Sequence, residues 1–144
     1  MRFTPRAIQA FRFAAREVES MGGSVVGSDH LLLGLLLLGS GVHFAVLRRA
    51  GFDADGLRAE LRPLFPFSGS QRELAGVRFD PSAVAALERA EDEAGAQSHG
   101  FCGTEHILLG LLAEENGSCA DILRRHSVDT AALRTAVLVE MKPG

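Results

Sequence analysis

Apolar side chains recur every three to four residues from Pro5 to about Met21, where Ala7, Ala10, Phe11, Ala14 and Val18 form one stripe. The same spacing returns from Pro81 to about Ser98 with Ala83, Ala86, Leu87, Ala90 and Ala94, the period of an amphipathic helix. Thr4 and Asp80 stand before these segments as N-caps, each followed by a proline that suits the first helical position. Gly22-Gly23 and Gly100 end them. The next segment of each pattern, capped by Ser28 or Thr104, is apolar on all sides and therefore belongs in the middle of a core. Gly34 and Gly110 within it cost helix propensity, which predicts a second helix crossing closely at each. Short third helices are expected from about His43 to Ala50 and from about Cys119 to Arg125. Fourth helices, capped by Asp53 and Asp129, should continue to about Leu64 and Met141. No stretch alternates convincingly as a strand, so the expected fold is all-α.

The two sets of helices are one pattern written twice. Residues 3–61 lie over 79–137 at a constant offset of 76 without a gap. Gly27-Ser28-Asp29-His30-Leu31-Leu32-Leu33-Gly34 matches Gly103-Thr104-Glu105-His106-Ile107-Leu108-Leu109-Gly110, and Leu47-Arg48-Arg49 matches Leu123-Arg124-Arg125. A single copy leaves a hydrophobic face uncovered, and stacking two copies buries it. The reading is one compact pseudo-two-fold domain of eight helices spanning 1–144, with repeat one at 3–64, a linker at 65–78 and repeat two at 79–141. Leu32, Leu33, Leu35 and Leu36 should be buried with Leu108, Leu109, Leu111 and Leu112.

Composition narrows the function without choosing it. The 144 residues are 47% hydrophobic and 23% charged, with a net charge of −3, ordinary values for a globular protein of this length. Residues 1–64 carry eight basic and six acidic groups, and residues 65–144 seven and twelve, so neither half has the basic face of a nucleic-acid binder. Two cysteines, Cys102 and Cys119, are too few for a disulfide framework or a four-ligand zinc site, and a reducing cytoplasm is the simplest compartment. The longest apolar run, Leu31 to Leu38, falls short of a membrane span, and no signal peptide is visible before the first helix.

The candidate chemistry lies in Asp29-His30 and Glu105-His106, an acid beside an imidazole at equivalent places in both repeats. Adjacent residues on a helix point about 100° apart, and the pair does not make a metal-binding His-Glu-x-x-His helix, whose histidines must stand four apart to share a face. The histidines read as hydrogen-bonded packing residues and no metal or cofactor is expected. The acids have two readings, either a favourable charge on the helix dipole or a ligand-binding carboxylate at an accessible helix start. Phosphate-loop, dinucleotide and nucleophile-elbow motifs are missing, so no catalytic residue is assigned. The cysteines read as packing residues, and Arg48-Arg49 and Arg124-Arg125 as C-terminal dipole partners.

The residues Phe3-Thr4-Pro5-Arg6-Ala7, the motif Gly103-Thr104-Glu105-His106-Ile107-Leu108-Leu109-Gly110-Leu111 and the duplication itself resemble the N-terminal domain of the Clp AAA+ unfoldases, ClpC most of all. The resemblance covers Phe3 to Met141. It implies a non-enzymatic eight-helix module that binds substrates and adaptor proteins for a Clp-type protease or chaperone and, in ClpC-like members, phosphorylated arginine. The motif glutamate then holds the guanidinium, and the region of the opening threonine holds the phosphate. Carried onto this chain, the site pairs Thr4 with Asp29 in the first copy and Asp80 with Glu105 in the second. Asp29 is one methylene shorter than glutamate, and Asp80 sets a negative charge where phosphate belongs. Phosphoarginine is therefore expected mainly in the first copy, with Asp29→Ala more damaging than Glu105→Ala. An alternative is a free-standing binder that sequesters tagged or damaged proteins away from the protease. A tag hydrolase using Glu105 and His106 lacks an accompanying nucleophile or metal set.

Overall fold

A computed structural model describes residues 2–64 and 72–141. Its elements in chain order are β1 (Arg2–Phe3), α1 (Pro5–Ser20), α2 (Ser28–Leu37), α3 (Val42–Arg49), α4 (Ala54–Arg58), β2 (Arg72–Leu74), β3 (Val77–Phe79), α5 (Pro81–Ala96), β4 (Phe101–Cys102), α6 (Thr104–Ala113), α7 (Ser118–Arg125) and α8 (Thr130–Met141). The fold is all-α with two small two-stranded sheets.

The caps explain where the helices begin. Ala7 N donates to Thr4 Oγ1 at 3.1 Å and Ala83 N to Asp80 Oδ1 at 2.8 Å, and Asp53 and Asp129 accept likewise from Gly56 N and Ala132 N. Ser28 and Thr104 are not the caps. Each is the first helical residue, and the cap positions are Gly27 and Gly103. Their amides donate to the Nδ1 atoms of His30 and His106, both at 2.9 Å, so the imidazole three residues on takes over work that a serine or threonine side chain would otherwise do.

All eight leucines expected in the core are buried. Helix α2 packs chiefly along α1 and α6 along α5, and α2 and α6 also meet. The glycines mark the crossings: a Cβ built at Gly34 would fall 2.3 Å from Ala10 O, and one at Gly110 would fall 2.2 Å from Ala86 O. Only a bare α-carbon lets these backbones approach so closely. Phe11 and Phe79, fully buried, join the repeats edge to face with ring centroids 5.1 Å apart. At the surface, Arg49 pairs with Glu140, while Arg125 and His126 reach Glu60 at 3.2 and 2.7 Å, so the arginines read as dipole partners also tie the repeats together.

Two further expectations need correction. Residues 65–71 of the expected linker lie outside the described residues, but its remainder forms the β2–β3 hairpin, with Ala75 (φ 52°) and Gly76 (φ 80°) at the turn. Both positive φ angles suit a two-residue hairpin turn, and three-residue strands are too short to show alternation. Helix α4 ends at Arg58 instead of continuing to about Leu64. Pro63 lacks an amide proton and disfavours helix at Arg62. The chain from Leu61 to Leu64 turns back toward the start of α2, where Leu64 O accepts from Ser24 N at 2.9 Å and Arg62 O bonds His30 Nε2 at 2.7 Å.

Candidate functional site

The two repeats exchange their strands. β1 pairs in parallel with β4, Arg2 opposite Phe101 and Phe3 opposite Cys102, and Thr4 N donates to Cys102 O at 3.0 Å. The related bridge joins Val26 to Phe79, with Asp80 N donating to Val26 O at 3.0 Å. Each strand runs directly into a helix, so each pairing sets the start of a first helix from one repeat beside the start of a leucine-rich helix from the other. Thr4 therefore shares a cleft with Glu105, and Asp80 stands beside the Gly27-Ser28-Asp29 turn. This corrects the expected pairing of Thr4 with Asp29 and of Asp80 with Glu105, because parallel bridging crosses the repeats.

The Thr4–Glu105 cleft, of about 570 Å³, is lined by Thr4, Pro5, Arg6, Ser40, Gly41, Phe101, Gly103, Thr104 and Glu105. At its edge Arg6 is held to Ser40, Nη2 donating to Ser40 O at 2.9 Å and to Ser40 Oγ at 3.2 Å. Glu105 is half-exposed. Among the described residues the amides of Thr104 and Glu105, in the first turn of α6, have no side-chain hydrogen-bond partner, and both residues line the cleft. Such amides, with the helix dipole behind them, favour an anion.

The cleft at Asp80, of about 370 Å³, is lined by Asp80, Pro81, Ser82, Ala85, Glu114, Asn116 and Gly117. Its polar groups satisfy one another. Ser28 N donates to Ser82 Oγ, which donates to Asp80 Oδ1 at 2.7 Å. Asp29 N donates to Ser118 Oγ, and Cys119 N to Ser28 Oγ. The carboxylate of Asp29, only 9% exposed as a residue, accepts from His30 N at 2.9 Å. The equivalent amides at the start of α2 are thus taken by side chains, and Asp80 and Glu114 add negative charge to this cleft.

Both histidines of the repeated motif are buried and their tautomers follow from their partners. Nδ1 of each accepts a backbone amide proton, so Nε2 carries the hydrogen. His30 Nε2 donates to Arg62 O, and His106 Nε2 donates to His99 Nδ1 at 2.8 Å. The approach of Asp29 Oδ1 to His30 Nδ1 at 3.3 Å is accordingly no ion pair. A metal on Nε2 would require the hydrogen on Nδ1, against the glycine amide. Among the described residues no group of three or more His, Cys, Asp or Glu side chains converges as a metal site. Burial, reinforced by His99, holds His106 below the ordinary histidine range, against the opposing carboxylates of Glu105 and Glu93. Burial pushes the Cys102 thiol up to about 12 and that of Cys119 up as well, which removes both as nucleophiles.

Sequence reasoning missed Arg6, Ser40 and Phe101 as lining residues. A signal for Arg6 was present, since it stands opposite Ser82 in the aligned repeats. No such signal existed for the crossing of the repeats.

Comparison with known proteins gives one answer. The family model of the Clp repeat (R) N-terminal domain matches residues 2–94 and 78–144. A probable ATP-dependent Clp protease ATP-binding subunit of Chlamydia pneumoniae is 34% identical over 145 residues, 98% of this chain and 17% of that protein. The chloroplastic chaperone protein ClpC of Pisum sativum is 34% identical over 137 residues, 95% of this chain and 15% of that protein. The chain thus spans only a small part of the curated relatives it matches. The crystal structure of the N-terminal domain of the chaperone ClpD from Arabidopsis thaliana superposes with a TM-score of 0.67 at 28% identity, over 99% of this chain and 96% of that one. The Hsp104 N-terminal domain of Candida albicans shares the fold, with a TM-score of 0.72 at 20% identity over 96% and 90% of the two chains. The chain belongs to the Clp repeat N-terminal domain family.

Proposed function

We propose that this chain is a non-enzymatic module that binds substrates and adaptor proteins for a Clp-type ATP-dependent protease or chaperone, and that its Thr4–Glu105 cleft receives phosphoarginine. The observation that carries the reading is the parallel β1–β4 bridge, which brings a neutral hydroxyl and a glutamate into one cleft. Glu105 offers two oxygens to a guanidinium, the pairing that carboxylates make best. The Thr4 hydroxyl, the Arg6 guanidinium and the α6 N-terminus at Thr104 and Glu105 suit the phosphate. The second cleft suits it poorly, because its amides are taken and Asp80 repels an anion. The buried, unreactive thiols fit work in a reducing cytoplasm.

Calorimetric titration of phosphoarginine into the chain and four variants tests this. A charge-assisted hydrogen bond is worth about 1.5–3 kcal/mol, so Glu105→Ala should weaken binding by about ten- to a hundred-fold. Thr4→Asp should do likewise by charge repulsion. Asp29→Ala and Asp80→Ala should leave it within about two-fold, provided that the variants remain folded. Loss of binding in Asp29→Ala with retention in Glu105→Ala would overturn the assignment.

A further inference from the structure

The wall of the Thr4–Glu105 cleft carries the aromatic ring of Phe101. Phe101 is 47% exposed, one of two large hydrophobic side chains so placed among the described residues. Its position is held from behind. The His99 ring stacks parallel to it, 2° between planes with centroids 5.5 Å apart, and His106 meets it edge-on at 6.0 Å. His99 is fixed in turn by the hydrogen bond from His106 and by a left-handed residue, Ser98 (φ 58°), that folds His99 N back onto Ala94 O at 2.9 Å. The chain's own guanidinium–ring contacts among the described residues are Arg16 over Phe13 and Arg72 over Phe3, so none covers Phe101. The equivalent residue of the other repeat, Val25, is fully buried, and the Asp80 cleft has no aromatic wall.

Building on the reading of this cleft as a phosphoarginine site, we infer that Phe101 is a specificity-determining residue whose free surface stacks against the planar guanidinium of the ligand while Glu105 takes its N–H edge. A delocalised, weakly hydrated plane gains from lying on an aromatic ring, whereas a compact ammonium keeps its water. The cleft therefore selects arginine-derived phospho-ligands over phospho-ligands whose cation is an ammonium. The His99–His106 pair acts only by positioning the ring.

Titrations with phosphoarginine and with phosphoethanolamine, which has a phosphate and an ammonium but no guanidinium, test this on the wild-type chain, Phe101→Leu and Phe101→Tyr. A cation–π contact at an exposed site is worth about two- to five-fold in affinity. Phe101→Leu should weaken phosphoarginine by that factor and leave phosphoethanolamine unchanged, and Phe101→Tyr should restore the wild-type preference. Unchanged phosphoarginine affinity in Phe101→Leu, equal loss of both ligands, or failure of the tyrosine to restore the preference overturns the inference and leaves the site assignment standing. Absence of phosphoarginine binding by the wild-type chain overturns both.

Discussion

Replacing Gly110 by alanine sets two effects of known sign against each other. Alanine is the better helix former by about 1 kcal/mol, so an unobstructed glycine in a helix gains stability from the change. Gly110 is obstructed. Its Cβ would lie 2.2 Å from Ala86 O, 2.8 Å from Ala90 N and 3.0 Å from Ala90 Cβ. The first two are backbone atoms, which cannot rotate aside. Relief requires α5 and α6 to part by roughly 1 Å, a gap that forfeits about a quarter to a half of the dispersion attraction across it. Overpacking costs about 1–3 kcal/mol, and a backbone obstruction belongs in the upper part of that range. The net loss should be about 1–2 kcal/mol, lowering Tm by about 2–8 °C in a chain of this size. Gly95 in α5, exposed and with nothing within 4 Å of an added Cβ, is the control, and its alanine variant should gain about 0.5 kcal/mol. Urea unfolding monitored by circular dichroism measures both. A Gly110→Ala protein as stable as the wild type would refute the close-crossing account of the core.

Two further outcomes follow from the buried titratable groups. His43 and His106 are both held below the ordinary value of 6.5, chiefly by burial, although Glu105 pulls each upward and Arg6 pushes His43 down. The unfolded chain therefore takes protons first as pH falls, so stability present above about pH 6.5 declines as pH drops toward the folded-state values. Urea midpoints at pH 7.5 and 5.5 should show this decline, reduced in His106→Gln, and a midpoint that rises in acid would contradict it. Cys102 and Cys119 are buried with raised pKa values. A thiol-disulfide reagent should label neither in the native chain at pH 8 and both in denaturant, and rapid native labelling would show that the thiols are accessible.

The helices were legible in the sequence because their causes are local. Apolar spacing, the caps Thr4, Asp80, Asp53 and Asp129, and the prolines after the first two caps act within one or two turns. Gly34 and Gly110 even announced the crossings, since a glycine in an otherwise favourable helix needs a reason. The shortened α4 was readable in part from Pro63. The hairpin at Arg72–Phe79 was not, because three-residue strands carry no period. Which acid faces which helix start was a different kind of question. An offset of 76 says that Thr4 is equivalent to Asp80 and Asp29 to Glu105, and equivalence in a repeat is not proximity. Proximity came from the hydrogen bonds of Thr4 N to Cys102 O and of Asp80 N to Val26 O, which join residues far apart in the chain. The tertiary structure alone therefore united Thr4, Arg6, Phe101 and Glu105 and left Asp29 buried in its own turn. Sequence determines what each short segment prefers, whereas a cleft exists only where distant segments are brought together by packing that buries both of their apolar faces.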